Sequence, residues 1–568
     1  MANVPKPTCM AQALGTAAFL LLSLLAPCSA DDGPCGSPRP IPSDTRDIPM
    51  PKPRERHHIA LNIVETSNAY LLRPFDIARQ IRRLNDSLPR AMNAGPFGEV
   101  PNSSWYTNRN VEQRMTLGDI ARGPNTTNGP DTSGHLRIIR AKDMGLSPGF
   151  TIRDSRGHVY IIKFDPKSFA ELSSGAEVIS TKILYAAGYW VPENYITVFD
   201  TAKLLVDSGV EFIDRRGFER PMQQDDLSKL FREVTVLTGG KVRALASRYI
   251  EGEPLGSWLF RGTRRDDPND FIPHEHRREI RGLRVIGAWI NHFDAKPENN
   301  YDSYVTVDGK SFVRHYLLDF GSTLGASTSG PMYQTYGHEN AFDVPIVLLR
   351  IITLGLYNPP YMRWDTLPSP AVGTWESRTF SPGEFRFGVP NLAFDNLTDD
   401  DGYWAAKVVM SFTDAQIDSI VATAQYANPA DAAYVARILK ERRDKIGRHY
   451  YDRVNPLEGF SLRDMGDGTL EVCFRDMAVE AGFYGPAATR YTYEATVPCG
   501  CGSEQQLDEG IAETSCVPLT MPPEEQSGTR CIEVTIQTLR RGREPSKELR
   551  AYIRQSAGRA PVLVRIQR

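Results

Sequence analysis

Apolar and polar residues alternate over short runs in the first half of the chain: HLRIIRAK begins at residue 135, GFTIRD at 149, and HVYIIKFD follows a Ser155-Arg156-Gly157 turn. Period-two patterning between turn residues predicts the strands of an antiparallel sheet. Residues 170–187 switch to helical spacing, with Val178, Ile179, Ile183 and Leu184 on one face, and strand-like pieces return at 195–199 and 241–250. Over 274–290, Leu283, Ile286, Gly287 and Ile290 share a helical face that leads straight into a polar loop. Helix dominates from there to about Val454, the last element opening at Asn428-Pro429 and carrying Tyr434, Val435, Ile438, Leu439 and Arg442 at helical spacing. After Asn455 the texture changes to short strands with Gly-rich turns (GTLEVCF, RYTYEATV, CIEVTIQTL, PVLVRIQ), predicting a separate β-rich domain. No internal repeat is visible.

The N-terminal quarter reads differently. Lys6, an apolar run at 17–26 (AAFLLLSLLA) and Cys28-Ser29-Ala30 before two aspartates predict a signal peptide cut after Ala30, too short to span a bilayer comfortably. Residues 31–54 are rich in Pro and charge and read as an extended linker or strap around a folded body. Residues 62–84 (NIVETSNAYLLRPFDIARQIRRL) mix helical spacings and, with Pro- and Gly-containing loops to Gly134, read as an extension packed on the next domain. The segment 346–356 is the next most apolar, but it contains Arg350 and suits a buried helix, so the mature chain is expected to carry no transmembrane span.

The chain has 568 residues, 41% hydrophobic and 24% charged, which implies two to four soluble domains. A net charge of −3 gives no overall basic field to attract nucleic acid or acidic lipid. Of eight cysteines, Cys9 and Cys28 leave with the leader; Cys35, Cys473, Cys499, Cys501, Cys516 and Cys531 remain. An even count in an exported chain favours disulfides. A zinc site from the last five is the rival, weakened because no His follows His449 and the C-x-C lacks a second pair. Sequons at Asn85, Asn102, Asn125 and Asn396 fit a secretory route.

The sharpest chemical signal is His292-Phe293-Asp294-Ala295-Lys296-Pro297-Glu298-Asn299, followed after the apolar HYLL by Asp319-Phe320-Gly321. Upstream, Lys163 interrupts an apolar strand, and Glu177 opens a helix that would dock on the sheet, with Glu171 the alternative partner. Arg248-Tyr249-Ile250-Glu251-Gly252 ends another apolar run. This ordered set resembles the protein-kinase catalytic loop, metal-binding triplet, strand lysine, helix glutamate and hinge, and it looks closest to the atypical HipA-like, spore-coat CotH-like and secretory-pathway kinases.

The resemblance covers residues 136–454 and implies an α+β, bilobal protein-kinase-like fold. A small antiparallel β lobe (135–250) and a helical lobe (251–455) would lie between an N-terminal extension (31–134) and a disulfide-containing β-rich domain (456–568). It also implies ATP and Mg²⁺ or Mn²⁺ as cofactors. Asp294 would be the catalytic base and Lys296 would contact the γ-phosphate. Asn299 and Asp319 would hold the metal, Lys163 would grip the nucleotide phosphates with support from Glu177, the backbone of Tyr249, Ile250 and Glu251 would bind adenine, and His292 would be a structural support. The implied activity is extracytoplasmic phosphate transfer to hydroxyls of a protein or small molecule. A pseudokinase scaffold and nucleotidylation are the alternatives, although retention of both Asp294 and Asp319 argues against the scaffold. Five features depart from the eukaryotic pattern. Phe293 replaces the arginine that reads a phosphorylated activation loop, and no A-P-E follows. Asp294 and Asp319 lie 25 residues apart, predicting an enlarged hairpin at 301–313 around Asp308-Gly309. The phosphate-covering loop expected at 145–149 lacks G-x-G-x-x-G, and the Lys163 to Glu177 interval is short.

Overall fold

The computed structural model describes residues 35–36, 40–54, 64–85, 87–141, 148–213, 218–341, 343–363, 367–499, 503–521 and 529–568. The expected leader and its cut after Ala30 lie outside them. The chain divides into two compact units: Pro42–Ala94 with Val100–Tyr450, and Met1–Ile41 with Gly95–Glu99 and Tyr451–Arg568.

In the larger unit, β1 (Leu136–Ala141), β2 (Gly149–Arg153), β3 (Val159–Lys163), β4 (Asn194–Asp200) and β5 (Leu204–Val206) precede a small ribbon, β6 (Glu211–Ile213) with β7 (Glu219–Pro221). After β8 (Val236–Leu237) and β9 (Lys241–Arg248), the main sheet is complete in the order β4-β9-β3-β2-β1-β5, with β8 on β9. Its pairs are antiparallel, as the alternation predicts, except β1 with β5, which is parallel. Strands as short as β5 and β8 carry too few residues to show a period, so the sequence does not announce them.

One face of this sheet closes a core that includes Ile138, Ile152, Tyr160, Ile162, Val242 and Ala244. Successive side chains point to opposite faces, so Ile161 and Lys163 emerge on the other side, where helix Leu172–Ala186 packs against β4 and β9. The start of that helix is fixed by Asp165, whose carboxylate accepts from the N–H groups of Glu171 and Ser174 and from the Ser174 hydroxyl.

A second sheet joins β10 (Glu253–Gly256), β11 (Asn300–Val307) and β12 (Lys310–Leu317). The enlarged hairpin is β11–β12, longer than expected, and its two-residue turn is Asp308-Gly309 with φ of 50° and 75°. Both residues are left-handed, as a type I′ turn requires. Residues 42–54 lie over this sheet as a strap. The Ile48 N–H donates to Ser311 O, the Tyr304 hydroxyl donates to Ile48 O, the Arg54 N–H donates to Leu255 O, and the Ile48 side chain packs with Leu255 and Val313. Gly256 has φ of 96°, and a Cβ there would lie 2.5 Å from Arg54 O, so only glycine lets the strap pass.

Helix Arg278–Trp289 follows a 3-10 turn at His274–His276 and packs on helix Asp399–Met410. Between them the buried Asp401 accepts from Arg278 Nε and Arg281 Nη1, each at 2.9 Å. Beyond a minimal pair, β13 (Ala326–Ser327) with β14 (Gly330–Pro331), comes helix Val344–Ile352. The sequence expects 346–356 to be a buried helix because of its apolar content; instead no residue of Val344–Ile352 is buried, with Ile346, Leu349 and Arg350 half-buried and the rest exposed. The Asn396 sequon is buried, with its carbonyl oxygen accepting from Arg79 Nε at 3.4 Å, which removes it as an accessible glycosylation site.

The smaller unit contains a three-stranded sheet of β15 (Leu457–Asp464), β16 (Thr469–Asp476) and β19 (Cys516–Thr520). A five-stranded sheet runs β18 (Ser503–Ala512), β17 (Thr489–Cys499), β20 (Thr529–Arg540), β21 (Leu549–Ser556) and β22 (Val562–Gln567). Cys473 and Cys516 stand opposite each other on β16 and β19 and are disulfide-bonded, and Cys35 is bonded to Cys531. Disulfides therefore take three of the five cysteines that a zinc site would need; Cys501 lies outside the described residues. Among the described residues no helix is long and apolar enough to cross a membrane.

Removing one member of a buried ion cluster leaves uncompensated charge. Asp401→Ala, which strands Arg278 and Arg281, is expected to lower unfolding free energy by about 3–5 kcal/mol in urea titration; a change below about 1 kcal/mol would refute the role given to this carboxylate.

Candidate active site

Strand alternation turns Lys163, the last residue of β3, toward helix Leu172–Ala186, where Glu177 is nearly fully buried. Lys163 Nζ lies 2.9 Å from Glu177 Oε1 and 3.1 Å from Oε2. The same ammonium lies 2.9 Å from Asp319 Oδ1. Burial opposes its charge, but Asp319 and Glu177 together outweigh burial and raise the Lys163 pKa above its ordinary value. Glu171, the alternative partner, instead accepts the Ala427 N–H.

Asp319 comes two residues after β12 with φ of 59°, a left-handed conformation that a short polar side chain tolerates. Phe320 beside it is fully buried, edge-on to the His292 ring at 5.8 Å. Thr323 fixes the following turn, donating to Phe320 O and sharing a hydrogen bond with Ser180 of the glutamate helix. A Cβ at Gly321 would lie 3.3 Å from Glu177 Oε2, so a larger residue there would press on the glutamate carboxylate.

The other polar groups come from the loop after helix Arg278–Trp289. Lys296 Nζ pairs with Asp294 Oδ1 at 2.9 Å. Asn299, in a 3-10 turn begun by Pro297, donates from Nδ2 to Asp294 O at 2.9 Å and to Asp294 Oδ2 at 3.2 Å. Burial works against the Lys296 charge, yet Asp294, with smaller help from Glu298 and Asp319, raises its pKa. The Leu318 N–H donates to Asn299 O at 2.8 Å, tying this loop to the residue before Asp319. His292 is buried, its N–H donates to Gly287 O, and burial pushes its pKa down to about 4, so the ring is neutral.

The backbone of the 249–251 segment is partly engaged. The Tyr249 N–H donates to Val159 O at 3.1 Å, and Glu251 O accepts the Ser303 hydroxyl at 2.6 Å; Ile250 lies between them. Of the expected phosphate-covering loop, residues 145–147 lie outside the described residues. Gly149 pairs with Lys163 at the start of β2.

Sequence reasoning missed the residues that support the Asp294 loop from outside it. Phe293 stacks flat on Tyr336, with ring centroids 4.3 Å apart and planes 8° from parallel. Its carbonyl accepts the Gly388 N–H, and Gly388 O accepts the Ala341 N–H. No local spacing signals Tyr336 or Gly388, because both act across the fold. Close to them, His338 stacks on Tyr361 at 4.4 Å, and burial, with Arg442 nearby, pushes its pKa down to about 4.

The donor set suits a hard divalent cation. Asp319 offers a carboxylate whose side chain is 54% exposed, and Asn299, which donates through Nδ2, could offer its amide oxygen. Asp294 lies next to both Asn299 and Lys296.

No protein-family model and no curated protein matches this chain. Among solved structures, a proinflammatory kinase of Helicobacter pylori, CtkA, is similar at 12% identity over 56% of this chain and 98% of that one, with a TM-score of 0.31. The crystal structure of the Golgi casein kinase is similar at 11% identity over 72% and 94%, with a TM-score of 0.29. Its complex with Mn/ADP is similar at 9% identity over 72% and 93%, with a TM-score of 0.26. Likeness at this level adds no weight to the functional reading, which rests on the geometry above.

The depressed His338 pKa sets a pH dependence. Between about 6.5 and about 4 the unfolded chain takes up a proton that folded His338 refuses, so stability should fall as pH drops through that window. His338→Phe, which keeps an aromatic ring against Tyr361, should flatten part of that slope in thermal denaturation from pH 7 to 4. An unchanged slope would contradict the burial of a neutral ring.

Proposed function

We propose that this chain is an ATP-dependent phosphotransferase on a protein-kinase-like fold, acting on hydroxyl acceptors outside the cytoplasm. The observation that carries the reading is the ammonium of Lys163 held between Glu177 and Asp319, with the Asp294, Lys296 and Asn299 loop tied to the Asp319 segment through Leu318. Two groups far apart in sequence converge there on one lysine, as a nucleotide-phosphate grip and a metal carboxylate do. The disulfides support an oxidising compartment.

Each residue then has a task. Lys163, oriented by Glu177, binds the nucleotide phosphates. Asp294 accepts the proton of the acceptor hydroxyl as its oxygen bonds to the γ-phosphorus and the bond to the leaving oxygen breaks, and Lys296 balances negative charge on the migrating group. Asn299 and Asp319 hold a divalent cation, which when bound neutralises phosphate charge. The Phe293–Tyr336 stack supports Asp294 by aromatic packing where an arginine would need a phosphate.

Saturating ATP with Mg²⁺, at about a hundred times its dissociation constant, should stabilise the native protein by about 2.7 kcal/mol in thermal unfolding. Asp319→Asn should abolish the Mg²⁺-dependent part. Asp294→Ala should retain the shift while lowering phosphate transfer to an acceptor by about 100- to 10,000-fold. Absence of any shift in the unmodified protein would sink the proposal, and products carrying AMP would replace phosphate transfer by nucleotidylation.

A further inference from the structure

Two neighbouring segments of the larger unit have their amphipathicity inverted. Residues 64–84 are held to the body by polar side chains: Glu65 pairs with Arg261, and the buried Arg73 and Arg79 reach Asp395. The outward residues are apolar, with Leu71, Leu72, Phe75, Ile77, Ile81 and Leu84 all exposed. Helix Val344–Ile352 repeats the pattern, anchored inward by Arg350 on Glu339 while Leu348, Ile351, Ile352 and, beyond it, Leu354 and Leu356 face out. Gly388 links the two, its carbonyl accepting both from the Tyr70 hydroxyl and from the Ala341 N–H.

In water a helix normally buries its apolar stripe and exposes its charges. A chain that does the reverse at two adjacent places presents an apolar patch of the kind that marks an interaction site. The charges around this patch name the partner. Its carboxylates Glu65, Asp395 and Glu339 are drawn into ion pairs and the exposed Asp76 caps its own helix by accepting the Arg79 N–H, whereas Arg82 and Arg83, two cations against that one outward carboxylate, are exposed on helix Ile77–Leu84 beside Ile81 and Leu84. Apolar side chains flanked by outward arginines complement the headgroup and acyl boundary of an anionic bilayer. A second copy of the chain would instead bring the same arginine-bearing face against itself.

We infer that this face docks the protein peripherally on an anionic lipid surface. The inference does not depend on the proposed phosphotransfer. The test is flotation of the full mature chain with phosphatidylglycerol-containing and pure phosphatidylcholine vesicles. Binding should require the anionic lipid and weaken at high salt. It should fall roughly tenfold or more in Arg82→Glu/Arg83→Glu, and also in Leu72→Ser/Phe75→Ser/Ile81→Ser. Because these side chains are exposed, both variants should keep the wild-type melting temperature, which separates lost docking from lost folding. No flotation, equal flotation with neutral vesicles, or equal flotation of the variants would overturn the inference. So would a dimer in sedimentation that the serine variant dissolves while the protein ignores lipid.

Discussion

The ammonium of Lys163 between two carboxylates is the interaction on which the rest of the candidate site depends. An ion triad this close is stable only if each member is held by its own element, because two like-charged carboxylates share one cation. Glu177 is fixed by a buried helix that Asp165 caps, Lys163 by the alternation of β3, and Asp319 by a left-handed turn that the buried Phe320 anchors. Loss of any one support leaves charge unpaired where water is partly excluded. The triad therefore registers the sheet, the helix and the end of the β11–β12 hairpin against one another.

The loop carrying Asp294 is held by different means. Its backbone is tied to the Asp319 segment by the Leu318 hydrogen bond and to the later chain through Gly388, while Phe293 stacks on Tyr336. Stacking needs no charge and no modification, so this support is built into the folded chain. That agrees with a phenylalanine where an arginine would serve a phosphate-dependent arrangement.

Elements with a strong period were legible in the sequence. The strands at 135, 149 and 158, the helix over 170–187 and the hairpin turn at Asp308-Gly309 all follow from side-chain alternation and turn chemistry, which act over a few residues. Short edge strands and the parallel β1–β5 pair were not legible, since two or three residues show no period. The apolar segment 346–356 misled for a related reason: hydrophobic content says that a residue gains from leaving water, but not whether the fold provides a place to put it.

The sequence by itself determined the order of the polar groups around Asp294 and Asp319, and the periodicities that put Lys163 at the end of a strand and Glu177 on a helix. These are local properties of spacing and residue type. Only the tertiary structure decided that Glu177 rather than Glu171 meets Lys163, that Cys35 pairs with Cys531 and Cys473 with Cys516, that Tyr336 backs Phe293, and that two apolar segments face outward. Each of those outcomes joins residues distant along the chain or depends on what else covers them, up to 496 residues apart for Cys35 and Cys531. Packing of the whole chain sets such contacts, and no spacing along it encodes them.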